Sequence, residues 1–147
     1  MRMRRFIIIA GSVVFVAVAL TSTFRWAKAS LQRRAESVSC GNTMVSIMCA
    51  ARLWANDNNE RLPPNLLAMS NELNTPKILR CPGDRTRQRV GDWAEFTDAN
   101  STYEVLSPGA PDWSTNIVYL RCKLHGHLGY PDATVFDGKE RRTKKVF

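Results

Sequence analysis

Four cysteines and two histidines are the residues whose types and spacing could do chemistry in this chain of 147 residues. The cysteines are Cys40, Cys49, Cys81 and Cys122, and the histidines are His125 and His127. Thiols and imidazoles can form disulfides, bind a metal ion, or act as a nucleophile with its base. Each of these chemistries makes a different demand on the rest of the chain.

Cys81 and Cys122 form the favoured disulfide pair. Each ends a short apolar run and follows an arginine, in Leu79-Arg80-Cys81 and Leu120-Arg121-Cys122. The ends of two strands can approach within disulfide range. The bond would close a loop of about 40 residues, which is worth about 3–4 kcal/mol in the chain-entropy model. We therefore predict a Cys81–Cys122 disulfide, provided that the domain lies in an oxidising compartment.

Cys40 and Cys49 lie on a predicted helix. Nine residues separate them along the sequence, which corresponds to about 13 Å along a helix axis. That distance exceeds the reach of a disulfide. We expect both to be small buried apolar residues.

His125 and His127, joined by Cys81 or Asp137, are the candidate ligands for a zinc ion. The spacing C-x2-H-x-H from Cys122 fits no common structural zinc module, and a disulfide at Cys122 would remove that ligand. The sequence therefore predicts no metal site and no other cofactor. His125, His127 and Asp137 remain the alternative ligand set.

Catalytic motifs are absent from the sequence. It contains no glycine-rich phosphate loop, no G-x-S-x-G elbow and no H-E-x-x-H pair. No oxyanion loop lies near a cysteine and histidine that could act as nucleophile and base. We predict that the protein is not an enzyme and has no catalytic or cofactor-binding residues.

The net charge of +8 is concentrated outside the body of the chain. Basic residues cluster in residues 2–5, 25–34 and 139–145, whereas residues 35–138 hold nine basic and twelve acidic side chains. A nucleic-acid-binding domain normally carries its positive charge on the folded surface. The distribution argues against a nucleic-acid partner and for a membrane.

Residues Phe6 to Phe24 carry no charge. Nineteen residues of helix span about 29 Å, close to the hydrocarbon thickness of a bilayer. We predict a single-pass transmembrane helix over 6–24, with residues 1–5 as a basic cytoplasmic head and the larger C-terminal domain translocated across the membrane. The alternative is a cleavable signal peptide, since Ala27-Lys28-Ala29 offers an A-x-A site.

The chain after the membrane segment is predicted to be α+β. Residues 25–58 continue the helix, because apolar side chains recur at helical spacing from Met44 to Ala55. The polar run Asn56 to Asn59 and the pair Pro63-Pro64 end it.

Residues 59–138 are predicted to be a small β domain with long loops, followed by a basic tail over 139–147. Asn65 to Leu73 resembles a short helix capped by Asn65. Residues 85–100 form a predicted loop. Short runs rich in β-formers predict the strands of an antiparallel sheet: Lys77 to Cys81, Thr102 to Leu106, Asn116 to Cys122 and Ala133 to Phe136.

Several elements together resemble the prepilin-like, type II secretion pseudopilin-related proteins of the planctomycete and verrucomicrobial type. The apolar helix is followed by Cys40-Gly41-Asn42, by the segment from Ala51 to Asn58, and by Leu62-Pro63-Pro64. Cys81-Pro82-Gly83-Asp84 is similar to the family's CP-x-D element. His127, nine further residues and then Asp137-Gly138 match its H-x9-DG signature.

The resemblance implies a pilin-like fold, in which a long helix packs on a small antiparallel sheet. It implies an inner-membrane protein whose C-terminal domain lies in the periplasm. It also implies assembly with like pilin or pseudopilin subunits and with inner-membrane assembly proteins, and it brings no catalytic residues. The assembly helix would use Phe6, Ala10, Gly11, Val14 and Ala17, among which small residues permit close helix approach.

Two positions depart from the family pattern. Arg5 stands where the cleavage-site glycine would be, and Ala10 stands where mature prepilins carry a glutamate. A prepilin peptidase requires that glycine, so two hypotheses follow: a minor, degenerate pseudopilin, or a pilin-like domain on a plain anchor. A functional alternative of another class is an extracytoplasmic binding module, whose recognition loops would surround Trp93, Trp113 and His125 to Tyr130.

Overall fold

The structure, a computed structural model, describes the backbone of residues 2–138 and 141–142 and the side chains of residues 21–138. The chain forms two compact units, residues 1–35 and the residues from Glu36 onward. The described elements are helices α1 (Arg2–Asn56) and α2 (Ser70–Leu73) and strands β1 (Tyr103–Val105), β2 (Leu120–Cys122), β3 (Leu128–Gly129), β4 (Val135–Phe136) and β5 (Arg141–Arg142). This arrangement confirms the predicted α+β class.

Within the described part of the chain, no helical stretch combines the length and apolarity needed to cross a membrane. Most of the predicted membrane segment cannot enter that comparison, because the side chains of residues 6–20 lie outside the described ones. The same holds for the predicted assembly residues Phe6, Ala10, Gly11, Val14 and Ala17. The basic tail is described only at β5.

The C-terminal part of α1 forms one wall of the core. Met44, Ile47, Met48, Ala51 and Ala55 are buried, as their helical spacing predicted, and Trp54 is partly buried against them. The helix ends at Asn56, where the Asn58 side chain donates a hydrogen bond to the Trp54 carbonyl (2.7 Å). The predicted stop is therefore confirmed.

The strands described form one antiparallel meander in the order β1-β2-β3-β4-β5. Gly129 on β3 faces the helix, and a Cβ placed on it would lie 3.3 Å from both Met44 and Met48. The absence of a side chain at this position thus allows the sheet to lie close to α1.

Several predicted elements differ from the structure. The strands predicted over Asn116 to Cys122 and Ala133 to Phe136 are formed only at Leu120–Cys122 and Val135–Phe136. Lys77 to Cys81 is not a strand, because Thr75 caps a 3-10 helix over Pro76–Leu79 that begins with a proline. The helix predicted over Asn65 to Leu73 is a 3-10 turn (Leu67–Met69) continued by α2, and Asn65 accepts the N–H of Ala68. The loop over 85–100 contains two further 3-10 turns, Trp93–Glu95 and Asp98–Asn100.

Candidate metal centre

Three separate segments bring Cys40, Cys81, Cys122 and His125 together. The three sulfurs and a ring nitrogen of His125 all lie within 4.8 Å of one another. Cys40 is on α1, Cys81 follows the 3-10 helix Pro76–Leu79, and Cys122 ends β2. The cysteines are buried and His125 is half-buried. The cluster thus lies inside the unit that begins at Glu36.

His125 lies in a tight turn after β2, and its ring points toward the sulfurs. Its Nδ1 lies 3.2 Å from Cys81 Sγ and 4.0 Å from Cys122 Sγ. The turn is closed by the Gly126 N–H, which donates to the Cys122 carbonyl (2.9 Å). Gly126 has φ +69°, a left-handed conformation that glycine adopts without strain. This turn directs the imidazole back toward the strand that carries Cys122.

Thr102 holds the Cys81 segment against the sheet. Its hydroxyl accepts the N–H of Cys81 (3.1 Å), and its carbonyl accepts the N–H of Lys123 (2.9 Å), the residue after Cys122. The Thr102 N–H in turn donates to the Leu79 carbonyl (3.0 Å). One buried threonine therefore fixes the spacing between the two cysteine segments.

Asp84 fixes the position of the Thr102 hydroxyl, which in turn holds the Cys81 backbone. Its carboxylate accepts hydrogen bonds from the Thr102 hydroxyl (2.6 Å), the Thr86 hydroxyl (2.8 Å) and Arg87 (2.6 Å). Burial on its own would raise the pKa of Asp84, but these bonds favour the carboxylate and hold the pKa below its usual range. Asp84 is thus a buried, ionised anchor for the turn.

The thiols of the cluster interact strongly with one another. Hydrogen bonds from the thiols of Cys40 and Cys81 lower the pKa of Cys122, and the same contacts raise the pKa of the two donors. The N–H of His125 also points to Cys122 Sγ (3.5 Å). One sulfur can hold a negative charge in this arrangement, whereas three thiolates together would require a cation.

The predicted Cys81–Cys122 disulfide stays a prediction. The structure shows all four cysteines as free thiols and brings Cys81 and Cys122 into the same cluster. Cys40 and His125 also belong to this cluster, whereas the prediction brought together only Cys81 and Cys122. Cys40 is buried as expected, but Cys49 is exposed, because it lies on the solvent side of α1.

The structure divides the candidate ligand set His125, His127 and Asp137. Only His125 belongs to a cluster of metal-ligand type among the described residues. His127 is buried beside it, with the ring centroids 5.3 Å apart and stacked at 24°, and its Nε2 lies 3.1 Å from Ser37 Oγ on α1. Asp137 follows β4, and Gly138 adopts φ +90°. The H-x9-DG residue His127 therefore contacts the ring of His125.

The residues of the predicted recognition loops are mostly used in packing. Trp93 stacks edge-on against Phe96 with the centroids 5.5 Å apart and is packed on the core. His127 and Gly129 are buried, and Tyr130 is half-buried. Trp113 differs, since 70% of its surface is exposed.

The position of Cys40 on α1 could have indicated this cluster. From the sequence, only the distance between Cys40 and Cys49 along the helix was considered. Cys40 precedes Met44 by four residues and Ile47 by seven, so it lies on the helix face that packs on the sheet. Cys122 and His125 share a C-x2-H turn. A cysteine on the core face, added to a pair of cysteines expected to meet, could have predicted three converging sulfurs.

Comparison of the chain with protein-family models, curated proteins and solved structures found no match.

Proposed function

We propose that the chain is a non-enzymatic, pilin-like subunit anchored in the inner membrane by Phe6 to Phe24. It assembles with like pilin or pseudopilin subunits and inner-membrane assembly proteins, in a type II secretion or type IV pilus-like apparatus. The unit that begins at Glu36 lies in the periplasm. Association runs through the apolar helix, and no reaction is catalysed.

The exposed apolar surface of α1 in the unit of residues 1–35 carries this proposal. Phe24, Trp26 and Leu31 are 72%, 75% and 65% exposed. Phe24 and Leu31, seven residues apart, share one face of the helix. Three large apolar side chains within eight residues are expected to be covered by lipid or by a neighbouring helix. Both coverings agree with an anchored assembly helix.

The folded unit adds a second support. Its core is a small antiparallel sheet on one face of a long helix, which is the arrangement that the pilin-type resemblance implies. The cysteine–histidine cluster favours a structural role over a catalytic one. Its four donor atoms face one another, and three of them belong to buried cysteines, whereas catalytic metal sites keep an open position for substrate or water.

The membrane anchor is tested by Val14→Arg in the full chain, with Val14→Leu as the matched control. A charge at the centre of the segment is costly in a bilayer, by about 2.5–3.5 kcal/mol on insertion scales. We expect Val14→Arg to leave the membrane fraction or lose crosslinks to like subunits, and Val14→Leu to retain both. If Val14→Arg still fractionates with membranes and crosslinks to partners, the proposal is wrong.

Assembly is tested by a photo-crosslinking residue at Leu31, compared with the same residue at Ala99. Both positions are exposed, but Ala99 lies in the loop that precedes β1. We expect subunit–subunit adducts from Leu31 in native membranes and none from Ala99. Absence of adducts from Leu31, with the protein present in the membrane, contradicts helix-mediated assembly.

A further inference from the structure

We propose that Cys40, Cys81, Cys122 and His125 bind one Zn²⁺ ion in a four-coordinate structural site. The ion joins the C-terminal part of α1 to the sheet. This site is independent of the assembly role proposed above, because all four ligands belong to the unit that begins at Glu36. Either proposal can fail without the other.

The donor set selects the class of metal. Three thiolates and an imidazole are ligands that Zn²⁺ prefers, and Cys₃His is a common structural zinc set. Calcium and magnesium require oxygen ligands, which the cluster does not offer. A cluster of several iron atoms would separate the ligand sulfurs further than a single ion does. The four donors therefore favour one zinc ion.

The spacing of the donors fits tetrahedral coordination. At a Zn–S distance of about 2.3 Å and a Zn–N distance of about 2.0–2.1 Å, tetrahedral geometry places two sulfurs about 3.8 Å apart and a sulfur and nitrogen about 3.5 Å apart. The sulfur–nitrogen distances of 3.2 and 4.0 Å lie on either side of that value. No donor pair exceeds 4.8 Å. A contraction of about 1 Å or less would complete the site.

Neighbouring groups are placed to stabilise thiolate ligands. The N–H of His125 points to Cys122 Sγ at 3.5 Å, and the Tyr103 hydroxyl lies 3.6 Å from Cys40 Sγ. Three thiolates around Zn²⁺ leave one net negative charge, which such donors offset. His127 stacks on the His125 ring and contacts Ser37 on α1, so it positions a ligand without being one.

A disulfide explains the cluster less completely than a metal ion. It would join two of the three sulfurs and leave the third thiol and His125 Nδ1 outside the bond. That bond was predicted from the sequence because Cys40 was assigned to packing and was not considered together with Cys81 and Cys122. One ion among them would bond all four donors at once, which a disulfide between two of the sulfurs does not.

The direct test is the metal content of the untagged full-length protein, extracted from membranes in detergent. Elemental analysis is expected to give one zinc per chain. Replacement by Co²⁺ is expected to give the thiolate charge-transfer and visible bands of a tetrahedral sulfur-rich site. Less than stoichiometric metal after reconstitution with Zn²⁺ under reducing conditions would overturn the proposal.

Ligand variants locate the site, with Cys49→Ser as the matched control. Cys49 is on the same helix as Cys40 but is exposed and outside the cluster. We expect Cys40→Ser, Cys122→Ser and His125→Asn to lose stoichiometric zinc, and Cys49→Ser to retain it. Full zinc content in Cys40→Ser would contradict the assigned ligand set.

The oxidation state is tested on wild-type protein, so that the result does not depend on a variant that folds. Cells are lysed in denaturant with an alkylating reagent, and the intact mass is measured. Alkylation of all four cysteines supports thiolate ligands. A Cys81–Cys122 bond found in the natural membrane fraction overturns the zinc site.

Discussion

The Thr102 hydroxyl donates a 2.6 Å hydrogen bond to Asp84 Oδ2, and both side chains are almost completely buried. An ionised carboxylate only accepts, so it fixes the direction in which the hydroxyl hydrogen points. The hydroxyl oxygen is then free to accept the N–H of Cys81. The charge of Asp84 thereby acts on the Cys81 backbone through the Thr102 hydroxyl.

The first prediction follows from this contact. Asp84→Asn places an amide donor among the hydroxyl and guanidinium donors that now meet a carboxylate. We expect a loss of about 1–3 kcal/mol in the free energy of unfolding, the usual cost of an unsatisfied buried group. Chemical denaturation measures it. Asp92→Asn is the control, because exposed Asp92 caps one 3-10 turn and asparagine caps equally well; an equal loss in both variants would contradict the role of Asp84.

Two glycine substitutions are expected to have opposite signs. Gly129→Ala would place a Cβ 3.3 Å from Met44, Met48 and Leu120, so we expect a loss of about 1–3 kcal/mol from overpacking. Gly41→Ala meets nothing within 4 Å on α1, so we expect a gain of about 0.5–1 kcal/mol from helix propensity. Thermal unfolding of the two variants beside wild type provides the measurement. Equal stability of Gly129→Ala and wild type would show that sheet and helix are not closely packed there.

Gly83 limits how His125 is positioned. A Cβ on Gly83 would lie 3.1 Å from His125 Cε1, whereas a Cβ on Gly91 comes no nearer than 3.7 Å to any neighbouring side chain. We expect Gly83→Ala to weaken zinc affinity by about 10-fold or more, as changes around metal ligands commonly do, and Gly91→Ala to leave it unchanged. Competition with a chromophoric chelator measures both affinities. A wild-type zinc affinity in Gly83→Ala would show that Gly83 does not limit the position of the His125 ring.

Removal of the metal is expected to destabilise the unit that begins at Glu36. A ligand present at one hundred times its dissociation constant stabilises the folded state by about 2.7 kcal/mol, so chelation should lower the unfolding midpoint of the wild-type protein markedly. Readdition of Zn²⁺ should restore it. The Cys49→Ser variant should respond in the same way, and the His125→Asn variant should not respond to chelator. An unchanged wild-type midpoint would contradict a structural metal.

The sequence predicted those parts of the fold that local patterns determine. The core face of α1 follows from helical spacing, and the end of α1 follows from short polar side chains before a proline pair. The run Lys77 to Cys81 was wrongly predicted to be a strand, because a short apolar run does not distinguish a strand from a helical turn. β3 escaped prediction because a two-residue strand is defined by its partners and not by its own composition.

The candidate site could be predicted only in part. The meeting of Cys81 and Cys122 was expected from their places at the ends of apolar runs. The addition of Cys40 and His125 depends on how α1 packs on the sheet and on the turn at Gly126, and neither is encoded within a short window of sequence. Cys40 was therefore assigned to packing alone, and its sulfur was not predicted to join those of Cys81 and Cys122.

The three-segment origin of the cluster also sets an order of events during synthesis. Cys40 emerges from the ribosome long before Cys122 and His125, so an incomplete chain carries Cys40 and Cys81 without the other two residues of the cluster. The folded unit can close only after the turn that follows β2 has been made. A chain truncated before that turn is thus expected to be a target for oxidation and proteolysis. A chain that ends after β4 contains all four residues of the cluster.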